Sequence, residues 1–380
     1  MKIKKVAFWD NLREWRFEPI YFSNLALLVG VSGVGKTQIL KGILSLQQIA
    51  NGASLNGLGW DITFSTINDV EYRWQGEFET KKVSAIIPNK EDEIHQSRIV
   101  REHLFKEENL IIERTPDEIQ LKGKTTPKLS PFQSAVKILN QEEDISPVQE
   151  GFNKVIYSDN ESLLNKANNI YRVSLLTQVQ STFFNQNLPL ESVQSSKMPT
   201  LLKLAFIARH YPDIVKKIKS KFIEVFPQVE DVKIEIIEDN GTPSYASFPI
   251  QIKERGVNNW ILQNNISSGM LKTFIHIAEL YLSPEGTVIL IDEFENSLGI
   301  NCIDVVTDLI VENRNIQFIL TSHPPYIINN IGMEHWKIVT RKGGIVTVID
   351  AKDLNLGKSR HQAFMQLINL EEYSEGIKVE

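Results

Sequence analysis

The sequence predicts an α/β protein with a parallel sheet, interrupted by a mostly helical segment. Three observations carry that prediction. Short runs that are wholly or almost wholly apolar ("LALLV", "TVILI" and "IQFIL") are what strands buried on both faces of a sheet require. Helical patterns separate them, and strand, helix, strand at this spacing joins strands in parallel. Between the first run and the other two lies a long stretch with helical apolar spacing.

At 380 residues the chain has room for about two domain-sized units with a large core. Its 42% hydrophobic and 23% charged content excludes wholesale disorder. A net charge of −6 argues against a generally basic nucleic-acid coat, though it leaves a local basic patch open. The single cysteine, Cys302, excludes an internal disulfide and a cysteine-cluster metal site, and it fits a reducing cytosol. The start, "MKIKKVAFWDNLREW", lacks the apolar segment of a signal peptide, and no run approaches the roughly 18 to 20 apolar residues of a membrane span. A cytoplasmic protein is expected, with no membrane role of its own.

Residues 1–90 form the first lobe. "KIKKVAF", "RFEPIYF" and "LALLVG" read as strands, followed by a helix from Thr37 to about Ile49 with Ile39, Leu40, Ile43 and Leu44 on one side. "DITFSTI" and "VEYRW" read as two more strands. Residues 91–226 are expected to be a mostly helical insertion. "EIHQSRIVREHLF" and "LLKLAFIARHYPDIVKKIKSKFIEVF" have helical spacing, with Ile214, Ile218, Phe222 and Phe226 recurring every fourth residue. Between them "STFFNQNLPLESVQSSKMP" reads as a loop or hinge. Residues 227–350 return to strands: "DVKIEIIE" and "SFPIQIKE" alternate, with "GTPS" turning between them. A helix from about Gly269 to Leu282, the strand "TVILI", a helix over about 303–312 and the strand "IQFIL" complete this second lobe. Residues 351–380 hold a short helix at "RHQAFMQLINL".

"GVSGVGKT" fits G-x-x-x-x-G-K-[ST] between a buried strand and a helix. Gly30, Val31, Ser32, Gly33, Val34 and Gly35 would curl around an anion, with their N–H groups and the helix N-terminus pointing at it. Lys36 would reach the β- and γ-phosphates, Thr37 would coordinate Mg²⁺, and Gln38 follows at the cradle's edge. The bland alternative is a glycine-rich turn that matches by chance. This loop cannot tell a kinase from a GTPase, a transporter motor or a DNA-associated ATPase.

"TVILIDEFENSL" places Asp292 to hold Mg²⁺ through water and Glu293 to polarise the attacking water; an acidic turn closing a strand is the alternative. "FILTSHPPYI" ends the next apolar strand with His323, which could bond a γ-phosphate and sense hydrolysis, although a lone histidine is more often a packed or surface residue. "NISSGMLKTF" puts Ser267, Ser268 and Gly269 at a helix N-terminus, where serine also serves as a simple cap. A P-loop surrounds its triphosphate on one side. A second phosphate-binding helix end therefore predicts a head-to-tail pair of copies with ATP between them.

These four stretches in this order resemble the ABC-type ATPase head, in its SMC-, RecF- and OLD-like branch rather than the transporter branch. "SSGM" stands in place of the transporters' LSGGQ, "DEFENSL" is similar to the OLD-like Walker B and D-loop segment, and "TSHPP" to the switch histidine region. "IIERTPDEIQL…PKLSPFQSAVKIL" and "FIEVFPQVEDVKIEI" resemble prokaryotic antiphage-defence ATPases of the PtuA kind. The resemblance implies an ABC-type P-loop NTPase head with N-terminal antiparallel strands, ATP and Mg²⁺ as cofactors, and ATP hydrolysis with Glu293, His323 and Lys36 as catalytic residues. It implies a homo-oligomer with Ser297 near the dimer seam, and a Q-loop glutamine as a further metal contact: Gln133, with Gln178 and Gln180 as rivals. "ENSLGIN" departs from the frequent ENHLHP, which affects the details of cross-subunit signalling.

The insertion is too short for the long coiled coils of SMC proteins, and the end of the chain too short for a TOPRIM nuclease. A separate effector protein, such as a nuclease, is therefore expected. Lys216, Lys217, Lys219 and Lys221 could contact nucleic-acid phosphates, though such a run is more often a solvated helix face. The expected function is a sensor or scaffold ATPase of an antiphage defence system. The alternatives are a RecF-like DNA-binding repair ATPase, a transporter motor that "ISSGM" disfavours, and ATP as a structural ligand only.

Overall fold

The computed structural model describes residues 1–81, 96–158, 188–196, 198, 200–234, 237–238, 246–247, 250–297, 300–324, 328, 330–354, 360–369 and 377–378. The chain divides into two compact, discontinuous units. One comprises Met1–Tyr157, Glu285–Asp292 and Asn313–Glu380; the other comprises Ser158–Pro284 and Glu293–Glu312.

In the first unit the three apolar runs lie side by side. Val288–Ile291 pairs in parallel with Gln317–Thr321, which pairs in parallel with Leu25–Val29. Every residue of these strands is buried, as apolar runs without alternation require. Trp336–Lys342 adds in parallel to the other side of Leu25–Val29 and turns back into antiparallel Ile345–Asp350. The same sheet then runs through Trp15–Tyr21, Lys2–Asp10, Leu58–Ser65, Glu71–Phe78, Ile99–Lys106 and Asn109–Arg114, giving 15 strands in all among the described residues. Alternation returns in this antiparallel part: Tyr72, Trp74, Gly76 and Phe78 are buried while Glu71 and Arg73 are exposed. The helix Lys36–Ala50 turns Ile39, Leu40, Ile43, Leu46 and Ile49 into the core.

Residues 96–125 correct the expected layout. Ile99–Lys106 is a strand, not a helix, and pairs with Glu71–Phe78 from Phe78 opposite Ile99 to Tyr72 opposite Lys106. Apolar residues four apart, as Val100 and Leu104 are, fit a strand face as well as a helix face, because a spacing of four is even. The segment expected to start a helical insertion at 91 thus extends the first unit's sheet.

A buried ion pair fixes the following segment. Glu102 is fully buried and accepts from Trp74 Nε1 at 3.0 Å, Ala135 N at 2.8 Å and Arg114 at 3.5 Å. Arg114 also donates to Ser130 O and Gln133 O, each at 2.7 Å. Burial pushes the Glu102 carboxyl up, opposed first by the Arg114 charge. Glu102→Ala leaves a buried guanidinium without its carboxylate, so it is expected to cost about 3–5 kcal/mol of unfolding free energy, measured in urea.

The second unit holds the helices Leu190–Ser195, Thr200–His210, Pro212–Val225, Ser268–Leu282 and Ile300–Glu312. Pro212 takes the first turn of a new helix, which splits the predicted long helix in two. Val215, Ile218, Phe222 and Val225 are buried, and Phe222 meets Phe274 edge-on with centroids 5.2 Å apart. Val229–Ile234 and Ile250–Glu254 pair antiparallel, as their alternation predicts, with Ile261–Leu262 beside the latter. Part of the predicted hinge is the helix Leu190–Ser195; its residues 181–187 and the turn "GTPS" lie outside the described residues. Among the described residues no helix is long and apolar enough to cross a membrane.

Candidate nucleotide site

The loop leaving Leu25–Val29 is shaped by glycine. Gly30, Gly33 and Gly35 have φ of 151°, 86° and 107°, values that residues with a side chain rarely adopt. A Cβ on Gly30 would lie 2.6 Å from the Val339 carbonyl oxygen, so this strand end admits no larger residue. Val34 is buried and anchors the loop, whereas Ser32, Gly33 and Gln38 are exposed and Val31 is half-buried. Lys36 is 5% exposed; its ammonium donates to Gly30 O at 2.7 Å and Val31 O at 2.9 Å, inside the loop's curl.

Asp292 gathers the rest of the first unit's site. Its Oδ1 accepts from Thr37 Oγ1 at 3.0 Å and from Thr321 Oγ1 at 2.7 Å, and its Oδ2 accepts from Tyr157 at 3.3 Å. The pairing of Thr37 with Asp292 follows from topology: Asp292 ends one strand of the parallel set, and Thr37 opens the helix that the glycine loop leads into from the carboxyl end of another. A hydroxyl and a carboxylate are hard oxygen donors of the kind Mg²⁺ selects. The open glycine curl and the enclosed ammonium suit a polyphosphate. The residues present therefore fit a Mg²⁺-nucleotide.

Motif reading missed Thr321 and Tyr157. Thr321 was within reach, since it precedes "SH" at the end of the strand beside Asp292; Tyr157 carries no local signal. Trp15 and Arg341 were also missed. The Arg341 guanidinium lies 4.2 Å from the Trp15 ring centroid, and it donates to Gly33 O at 3.4 Å.

Gln133 is not beside Thr37. Its side chain lies next to Gly52, and the adjacent Ser134 donates to Ile49 O at 2.9 Å, which puts it at the C-terminal end of the helix whose first residues are Lys36 and Thr37. A helix of this length separates its ends by about 20 Å. The metal contact expected of Gln133 is corrected on that ground. Gln178 and Gln180 lie outside the described residues.

Glu293 follows Asp292 directly, is exposed, and has a left-handed φ of 49°. Such a conformation in a non-glycine residue marks a backbone fixed by its surroundings. Asn296 supplies part of that constraint, since its N donates to Glu293 O at 2.8 Å and its side-chain amide to Glu293 Oε2. The turn Phe294–Ser297 ends at Ser297. His323 is half-buried, two residues past Thr321. Ser267 is the N-cap of Ser268–Leu282, its hydroxyl accepting from Met270 N at 3.3 Å; Ser267 and Ser268 are exposed and Gly269 is half-buried. By unit, Lys36, Thr37, Asp292 and His323 belong to the first, and Ser267, Ser268, Gly269 and Glu293 to the second.

Residues 222–329 match a family described as AAA domain, putative AbiEii toxin, Type IV TA system. That span holds the serine-capped helix, Asp292, Glu293 and His323, and leaves out the P-loop. No curated protein matches the chain. Among solved structures, an Smc head bound to the C-terminal winged-helix domain of ScpA superposes with a TM-score of 0.51 at 15% identity, covering 92% of this chain and 97% of that one. An Smc head with an extended coiled coil, bound to the C-terminal domain of ScpA derived from Pyrococcus furiosus, gives 0.48 at 14% identity over 92% and 96%. The SMC head domain from Thermotoga maritima gives 0.46 at 13% over 92% and 99%. The chain carries a P-loop on the mixed α/β fold of an SMC head, which is the ABC-type ATPase fold.

Proposed function

We propose that this chain is an ATPase that binds and hydrolyses ATP between two paired heads, with Mg²⁺ as cofactor. The observation that carries the reading is the hydrogen bond from Thr37 Oγ1 to Asp292, beside an ammonium enclosed by the P-loop. Thr37 and Asp292 would hold the metal, which when bound neutralises charge on the phosphates. Lys36 exchanges the carbonyls of Gly30 and Val31 for phosphate oxygens. Glu293 takes a proton from the attacking water, and His323 bonds the terminal phosphate. Ser267, Ser268 and Gly269 of a second copy close the site from the other side. Release of phosphate from ATP by the purified chain with Mg²⁺ tests this; failure to bind ATP removes it.

Ser268→Arg is expected to leave ATP affinity of a single head unchanged while abolishing ATP-dependent pairing and lowering turnover with it, because the side chain is exposed among the described residues and a second copy would meet the added bulk. Sedimentation with ATP reads the pairing.

Paired heads of this kind suit a sensor or scaffold in an antiphage defence system that controls a separate effector such as a nuclease. The similarity to PtuA-type sequences favours that setting, as does a matching family described as a putative toxin. The Smc head in the matched structure is bound to a domain of another protein, which favours a partner docking on the head. Co-purification with a neighbouring gene product, and phage resistance that needs both, would support the role; neither occurring would count against it. A RecF-like DNA-binding ATPase is the second reading. Exposed Lys216 and Lys217 favour it, whereas Lys219 and Lys221 are engaged by Asp231 and Glu224. It requires ATP-dependent, salt-sensitive DNA binding by the isolated protein.

A further inference from the structure

Inside the second unit, the helix Ser268–Leu282 carries a lysine among its buried residues. Lys272 is 8% exposed, and burial holds its ammonium below the usual lysine range. A buried ammonium needs hydrogen-bond partners. One of them is distant in sequence: Lys272 Nζ donates to Asn296 O at 3.0 Å. Asn296 is the residue that grips Glu293 twice, through its backbone N at 2.8 Å and its side-chain amide on Oε2.

A line of hydrogen bonds thus runs from the helix to the turn after the Asp292–Glu293 pair. Lys272 stands one turn beyond Gly269, whose carbonyl accepts the neighbouring Thr273 hydroxyl at 2.8 Å. An exposed glutamate otherwise samples several rotamers, and a general base must be held to a narrow set of positions. Displacing the carbonyl of Asn296 would shift the amide that orients Oε2. The tip of the same helix is the part that would meet a second copy's phosphate. Pairing and hydrolysis would then be joined within one head by side chains three to four residues beyond that tip.

We infer that Lys272 and Asn296 are positioning residues for the Glu293 carboxylate, linking the Ser267–Gly269 helix tip to the base of the same head. This rests on Glu293 being the base. The closing experiment measures ATP turnover and ATP binding by the full chain for Asn296→Ala, Lys272→Met, Lys272→Arg and Glu293→Gln. Asn296→Ala and Lys272→Met are each expected to lower kcat about 10-fold with KM for ATP changed less than about 2-fold, the signature of a misplaced group rather than lost binding. Lys272→Arg, which keeps a donor, should recover part of the loss. The double variant should be little worse than the poorer single one, since both act through one carboxylate. Asn296 is exposed, so its variant carries the test even if Lys272→Met fails to fold. Folded Asn296→Ala turning over at the parental kcat, beside an inactive Glu293→Gln, would overturn the inference. Glu293→Gln hydrolysing at the parental rate would instead remove the assignment of the base, and the inference with it.

Discussion

Lys36→Ala is expected to weaken ATP binding by roughly 30- to 4,000-fold, the equivalent of about 2–5 kcal/mol for removing one partner of a desolvated charge pair. The ammonium lies inside the loop and is nearly buried, so phosphate oxygens would meet it with little water between. Nothing else in the loop "GVSGVGKT" supplies a full positive charge. The backbone N–H groups that remain contribute only partial charges. The truncation also removes the bonds to Gly30 O and Val31 O, so circular dichroism and thermal unfolding must accompany calorimetric titration with ATP. A folded variant that binds ATP with the parental affinity would mean that this loop does not hold the triphosphate.

Glu293→Gln is expected to leave ATP affinity within a few-fold of the parent and to lower kcat by about 10²–10⁴, the range for losing a general base. The amide is the same size and can still accept from Asn296, so the turn Phe294–Ser297 should persist. It cannot take a proton from water. Because closure precedes hydrolysis in this account, the variant should accumulate paired heads with ATP, seen as an ATP-dependent doubling of mass. Turnover at the parental rate would show that another group is the base.

What the sequence made legible was contiguous. The three apolar strands, the P-loop and the "IDE" strand end each occupy a few consecutive residues, and their parallel pairing follows from buried strands alternating with helices. Joining Thr37 to Asp292 was therefore within reach, although 255 positions separate them. Sites that depend on where a distant segment returns were not legible. Gln133 has suitable chemistry, but Arg114 and Ser134 tie its backbone to the far end of the P-loop helix. Tyr157 reaches Asp292 because its strand, Val155–Ser158, joins the sheet's edge beside Val288–Ile291, which no local pattern announces. The strand Ile99–Lys106 was hidden by a spacing that helix and strand share. Ile377–Lys378, which pairs with Trp336–Lys342, is too short to leave a periodic signal.

The most direct measurement is a structure of the Glu293→Gln protein loaded with ATP and Mg²⁺. It should show two copies, with Ser267, Ser268 and the backbone N of Gly269 from one within hydrogen-bonding distance of the terminal phosphate held by Lys36 of the other. A nucleotide-bound assembly in which those serines face solvent, away from any phosphate, would contradict the account.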